Sequence, residues 1–246
     1  LRRTVDQGVL AEEVGLDFFS VGEHYRSDML DSAPPVILAA IAGRTTRIIL
    51  GTSVTVLSTQ DPVRVFHQYS TLNAVSGGRA ELVVGRASTI DSFPLFGFQL
   101  MDYDDLFEQN LELWGKLMRE QPVTWSGSTR ATLEAQTLYP RVEGGFLPTW
   151  VGVGGSPDSV IRAAYLHEVR EGALMIGSPE TVATKIATCV RTLDLSRFDF
   201  KYALAPLPWE HGNRSVELYG REVVPRIREL LADYAPIDRV STYASA

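Results

Sequence analysis

"RIILGTSVTVLSTQDPVRVFHQYSTLNAVSGGRAELVVGR", residues 47–86, carries one full strand–helix–strand passage and decides how the chain is built. Residues 47–56 are rich in β-branched side chains, which suit a pleated, buried strand. Asp61-Pro62 then opens a helix, with Val65, Phe66, Tyr69, Leu72 and Val75 at the spacing of one apolar face, and Ser76-Gly77-Gly78 stops it. "AELVVG" at 80–85 is the next strand. Two strands joined through a helix predict a parallel sheet buried on both faces.

The same alternation extends to either side. Residues 2–14 read as a helix ending at the C-cap glycine Gly15, and "DFFSVGEH" as a buried strand running into a loop. Ser32 is placed to cap the proline-started helix "SAPPVILAAIAGR". Residues 102–119 predict an amphipathic helix, with Leu106, Asn110, Leu113, Trp114 and Leu117 toward the core. The stretch from 123 to about 146 breaks the pattern and reads as an irregular or hairpin insertion. "TWVGV" is the next strand, followed by a helix over 178–193, a strand "RFDFKYAL" at 197–204 and a last helix over about 214–233. That makes about five good strands, whereas a closed (β/α)8 barrel needs eight.

A chain of 246 residues with 45% hydrophobic and 22% charged content is an ordinary globular composition, read as one domain over 1–246. The net charge of −7 and the lack of a Lys/Arg run leave no footprint for nucleic acid or an acidic membrane surface. No segment approaches the roughly 18 consecutive apolar residues of a membrane span, and the charged N-terminus does not read as a signal peptide. One cysteine, Cys189, in a helical pattern offers no disulfide framework, so a reducing, cytoplasmic setting is expected. The four histidines show no metal-ligand spacing, and no metal is expected.

Chemistry-bearing residues gather at predicted strand ends. Glu23-His24-Tyr25 follows the first strand; a histidine there moves protons near neutral pH, and Glu23 is placed to orient it. Arg86 follows "ELVVG", where a guanidinium pairs with a phosphate or carboxylate or simply stands as a surface charge. "GSPDSV" (155–160) and "GSPETV" (177–182) both carry helix-start chemistry, and the first adds Gly154-Gly155 after an apolar strand, so that backbone amides approach an anion closely. The anion is therefore assigned to the first copy and a structural cap to the second. "GVGGSPDS" lacks the G-x-G-x-x-G spacing of a dinucleotide fold.

"GLDFFSVGEHY", the 47–86 run, "TWVGVGGSPDSV", "GSPETVATKI" and "SVELYGREVVPRIRE" together resemble, in order, the bacterial luciferase-like flavin-dependent monooxygenases. The resemblance implies an α/β fold, a (β/α)8 TIM barrel with reduced flavin mononucleotide (FMN) in its mouth. It also implies O2 and a small organic substrate, a separate flavin reductase and a homodimer. His24, with Glu23 beside it, falls on the active-site histidine. Arg86 matches a phosphate-binding arginine, and Gly154, Gly155 and Ser156 match the phosphate loop, with Ser159 one turn further. Ser53–Val54 matches a non-proline cis peptide under the flavin ring. Against that pattern the chain opens on a helix where a first strand is expected and is compressed near 164–165, where the family has strands and a long loop. The same resemblance leaves open an F420-dependent hydride-transfer oxidoreductase and a non-catalytic flavin-binding protein.

Overall fold

Residues 1–87, 89–119, 121–152, 175, 177–193, 195–200 and 208–235 are described by the computed structural model. The chain divides into two compact units, Leu1–Glu12 with Asp17–Val153 and Glu13–Leu16 with Gly154–Ala246.

The first unit carries the alternation read from the sequence. Its elements are α1 (Arg2–Glu13, running to the unit boundary), β1 (Phe18–Val21), α2 (Pro34–Ala42), β2 (Ile49–Thr52), β3 (Thr55–Val56), α3 (Pro62–Ser76), β4 (Leu82–Gly85), α4 (Ser92–Phe96), α5 (Tyr103–Arg119), β5 (Val123–Trp125), β6 (Leu133–Gln136) and β7 (Thr149–Val151). β1 pairs with β2 in parallel, from Phe18 opposite Ile49 to Val21 opposite Thr52. β3 pairs in parallel with β4, and β4 with β7. A parallel bridge between Leu50 and Ala80 ties β2 to the approach to β4. Parallel neighbours in chain order are the arrangement of a barrel wall; a doubly wound sheet reverses its order at the centre. Among the described residues the strands do not close on themselves. The insertion is an antiparallel hairpin, β5 with β6.

Leu38 and Ile41 of α2, Ile48 and Leu50, Val65, Tyr69 and Leu72 of α3, and Leu82 and Val84 of β4 are all buried. All five expected core positions of α5 are buried as well. Asp61 caps α3, its Oδ1 accepting from the amides of Val63 (2.8 Å) and Arg64 (3.4 Å). Gly77, at φ 67°, ends that helix in the left-handed conformation that glycine adopts without steric cost.

The turn before β2 is clamped from two sides. The Glu12 carboxylate accepts from the amides of Thr46 (2.9 Å), Arg47 (2.7 Å) and Ile48 (2.7 Å). The Arg79 guanidinium donates to the carbonyls of Ala42, Thr45, Ile48 and Ser76 and to the Thr45 hydroxyl, at 2.8–3.2 Å. Donors meet an anion and acceptors meet a cation, so the turn's backbone polar groups are satisfied without strand partners. For the same reason β2 begins at Ile49, although 47–56 reads as one strand.

Other expectations are corrected. The 47–56 strand is interrupted at Ser53-Val54, where the peptide is cis, as the resemblance implies. Val75 is exposed: at about 100° per residue it falls outside the buried arc, which Asn73 and Ser76 complete instead. Ser32 does not cap α2; the N-cap is Ala33 with no side-chain bond, because Pro34 and Pro35 remove the first helical amides. Residues 197–200 of the expected strand 197–204 are not in a strand, and 201–204 lie outside the described residues.

In the second unit, α6 (Pro179–Leu193), α7 (Trp209–Leu218) and α8 (Val224–Leu230) pack a core of Val182, Ala183, Ile186, Val190 and Val223. The helix expected over about 214–233 is thus a run from 209 to 230 made of α7, a π-helical turn and α8. A π-helical turn, Tyr219–Val223, joins α7 to α8. Pro225 explains it: a proline has no amide for its i−4 carbonyl and its ring crowds that group, so the turn widens. The Ser178 hydroxyl accepts from the Thr181 amide at 3.2 Å, the helix cap expected of the second Gly-Ser-Pro copy. Among the described residues no helix is long and apolar enough to cross a membrane, and no cluster of ligating side chains could hold a metal.

Candidate active site

Because β1, β2, β3, β4 and β7 run the same way, their C-terminal ends share one rim, and the loops leaving them bring chemistry together. The backbone amide of Ser53 donates to the Val21 carbonyl (3.2 Å), that of Leu57 to Gly85 (3.0 Å) and that of Gly152 to Val84 (2.7 Å). Val54 lies across the ends of β4 and β7: a Cβ on Gly85 or Gly152 would come within 2.9 or 2.8 Å of its side chain. Both glycines are thus required by the close approach of a neighbour. Ser53 itself is exposed.

Glu23 is buried and its oxygens are occupied. Oε2 accepts from the Val56 amide at 3.0 Å. Oε1 accepts from the Tyr25 hydroxyl in a short bond and from Gln60 Nε2 at 3.0 Å. Gln60 Nε2 also donates to the Tyr25 oxygen, at 3.1 Å. The carboxylate is thus taken up by Tyr25, Gln60 and the end of β3, and none of these bonds involves His24. Burial first, and then the bond to and charge of Glu23, push the Tyr25 phenol well above its ordinary value, so it stays a donor. Burial likewise raises Tyr69, whose hydroxyl meets the Thr55 hydroxyl at 3.1 Å beneath β3.

His24 is half-buried, and its Nδ1 is buried with no hydrogen-bond partner. The hydroxyls of Ser58 and Thr59, just past β3, are buried and unpartnered too. Asn110 of α5 holds this loop by donating to the Leu57 carbonyl at 2.8 Å. Three orphaned polar atoms past the C-terminal ends of β1 and β3 suit a polar ligand at the rim, and on that ground the residues present fit a flavin-type cofactor.

Arg86 stands one residue past β4. Its Nη1 meets Asp104 Oδ1 at 2.9 Å and its guanidinium lies 5.1 Å from the centroid of the Tyr103 ring. The pair is exposed, so it contributes little and yields readily to another anion. Tyr103 stacks on Phe93 at 5.7 Å, and Phe96 meets Tyr25 edge-on at 5.1 Å, so α4 borders the same rim. Glu23, His24, Ser53, Val54 and Arg86 all belong to these strand ends. Gly154, Gly155, Ser156 and Ser159 lie outside the described residues.

Ser58, Thr59 and Gln60 were not singled out from the sequence, and Tyr25 was named beside His24 without a role of its own. The available signal was positional: "LSTQ" leaves a strand at the same end as "GEHY" does.

Known proteins resemble this chain in sequence and in fold. An N-acetyl-S-alkylcysteine monooxygenase of Bacillus subtilis is 33% identical over 178 residues, covering 68% of this chain and 48% of the relative. An F420-dependent glucose-6-phosphate dehydrogenase of Microbacterium testaceum is 31% identical over 159 residues, 61% of this chain and 46% of that protein. The chain spans about half the length of these relatives. The crystal structure of a monooxygenase from Streptomyces bottropensis superposes with a TM-score of 0.76 at 17% identity, over 91% of this chain and 92% of that one, a likeness of fold. Residues 1–169, more than half of the sequence, match the luciferase-like monooxygenase family, and the chain belongs to it.

Proposed function

We propose that this protein is a flavin-dependent monooxygenase that uses reduced FMN and O2 on a small organic substrate. The carrying observation is the unpartnered Nδ1 of His24 past the C-terminal end of β1, together with the unpartnered hydroxyls past β3. When bound, reduced FMN supplies the electrons that activate O2 for transfer of one oxygen atom to the substrate.

The chain's own residues bind, orient and move protons. Arg86 would hold the cofactor phosphate in place of Asp104; Gly154, Gly155, Ser156 and Ser159, to which the family resemblance also assigns phosphate binding, lie outside the described residues. Ser53 and Val54 would offer the surface against which the flavin ring is held. His24 takes up or delivers the proton at Nδ1, and Glu23 supports it indirectly by fixing the neighbouring loop. Phe96 and Tyr25 border the entrance with apolar area that keeps water out.

A separate flavin reductase as source of the reduced cofactor and a homodimer belong to the same reading. Val36 on α2 and Val75 on α3, two helices that pack together, are exposed apolar residues that suit a subunit contact. The relative that uses F420 favours a second reading, hydride transfer with the same strand-end groups and no oxygen.

Anaerobic titration with reduced FMN and, separately, reduced F420, followed by admission of oxygen, tests both. Tighter binding of FMN, with reoxidation on a time course distinct from that of free flavin, is expected. Preference for F420 with no response to oxygen moves the assignment to hydride transfer, and binding of neither removes both.

A further inference from the structure

The bonds around Glu23 settle a direction that the sequence leaves open. A side-chain amide has a donor end and an acceptor end, and its neighbours decide which faces inward. Here Gln60 meets two oxygens on its inner side, Glu23 Oε1 and Tyr25 Oη, both at hydrogen-bond distance. The Tyr25 hydrogen is already given to Glu23, so neither oxygen has a hydrogen to offer Gln60. One N–H of Gln60 is thereby drawn inward and shared between the two oxygens, which lie too close together to take one N–H each. Its Oε1 has no partner among the described residues, on a residue that is only half-buried at the rim.

We propose that Glu23 is a positioning residue that fixes the Gln60 carboxamide in one orientation, so that Gln60 Oε1 is presented as an acceptor and selects a ligand carrying an N–H or O–H at that point. The ligand half of the inference rests on the cofactor-binding reading above; the orientation half does not.

The geometry makes an isosteric change diagnostic. In Glu23→Gln the oxygen stays with the Val56 amide, so the new NH2 lies where Oε1 was and faces Gln60 Nε2, donor against donor. Gln60 relieves this by turning over, which brings Oε1 inward and presents NH2 outward. The double variant E23Q/Q60E exchanges the two groups: the amide donates, the carboxylate accepts, and an oxygen again faces outward.

The experiment follows the inward-facing side-chain amide proton of Gln60 by 15N-resolved hydrogen exchange in the ligand-free protein, with reduced FMN titrated into the wild type and both variants. Slow exchange in the wild type, fast exchange in E23Q, an FMN affinity lower by roughly tenfold in E23Q and recovered in the double variant are expected. Fast exchange in the wild type overturns the fixed orientation even if E23Q does not fold, and unchanged exchange in a folded E23Q overturns the positioning role. Unchanged FMN affinity despite altered exchange overturns the ligand contact. Wild-type protein that binds no FMN fails the parent reading, and the exchange result then decides the orientation by itself.

Discussion

His24 and Arg86 leave different strands and are assigned different tasks, so their variants separate. His24→Ala is expected to lower turnover by about 10²–10⁴-fold while cofactor affinity changes little, because general acid–base contributions of that size act in the transition state; steady-state turnover beside an equilibrium titration checks it. Arg86→Ala is expected to weaken cofactor binding by about 1.5–3 kcal/mol, the worth of a charge-assisted contact, measured by the same titration, and unchanged affinity removes Arg86 from the site. The placement of both past apolar strands was legible in the sequence. The true bonding of Glu23 was not. Neighbours on an extended segment point opposite ways, so adjacency to His24 in sequence argues against contact, and the partners Val56 and Gln60 come from more than thirty residues away.

Among the elements, α6 and its cap test the division between the two Gly-Ser-Pro copies. Ser178→Ala should cost about 1 kcal/mol of stability, the usual worth of an N-cap, and leave cofactor affinity as it was; urea unfolding and titration on the same sample decide, and a loss of affinity would place the anion at the second copy. Elements were legible where side-chain chemistry is local: the Asp61 cap, the Gly77 stop, the apolar face of α5. They were misread where a distant group competes. Glu12 and Arg79 take the backbone of 45–48 away from β2, and polar Asn73 and Ser76 fill the core-facing arc that Val75 was expected to join. The turn-rich stretch before β7 announced a break in the alternation, but the β5–β6 register depends on cross-strand contacts that no local pattern encodes.

At the scale of the molecule, Glu12 links stability to pH. Burial opposes its charge, but hydrogen bonds from the Ile48, Thr46 and Arg47 amides outweigh that and hold the carboxyl below its ordinary 4.5. A carboxylate depressed in the folded state contributes fully above its unfolded value and loses that contribution as pH falls through the folded one. Glu12→Gln should therefore be less stable by about 1–2 kcal/mol at pH 7, with the gap narrowing as pH falls below the ordinary 4.5; urea unfolding at several pH values measures it. A gap independent of pH would assign the effect to lost packing. The Glu12–Arg79 clamp sits before the strands begin, whereas His24, Gln60 and Arg86 stand after they end. Errors at one end therefore need not propagate to the other. Lineages that rewrite the rim for a new reaction inherit a foundation already soldered, and selection can tinker with appetite while leaving the footing alone.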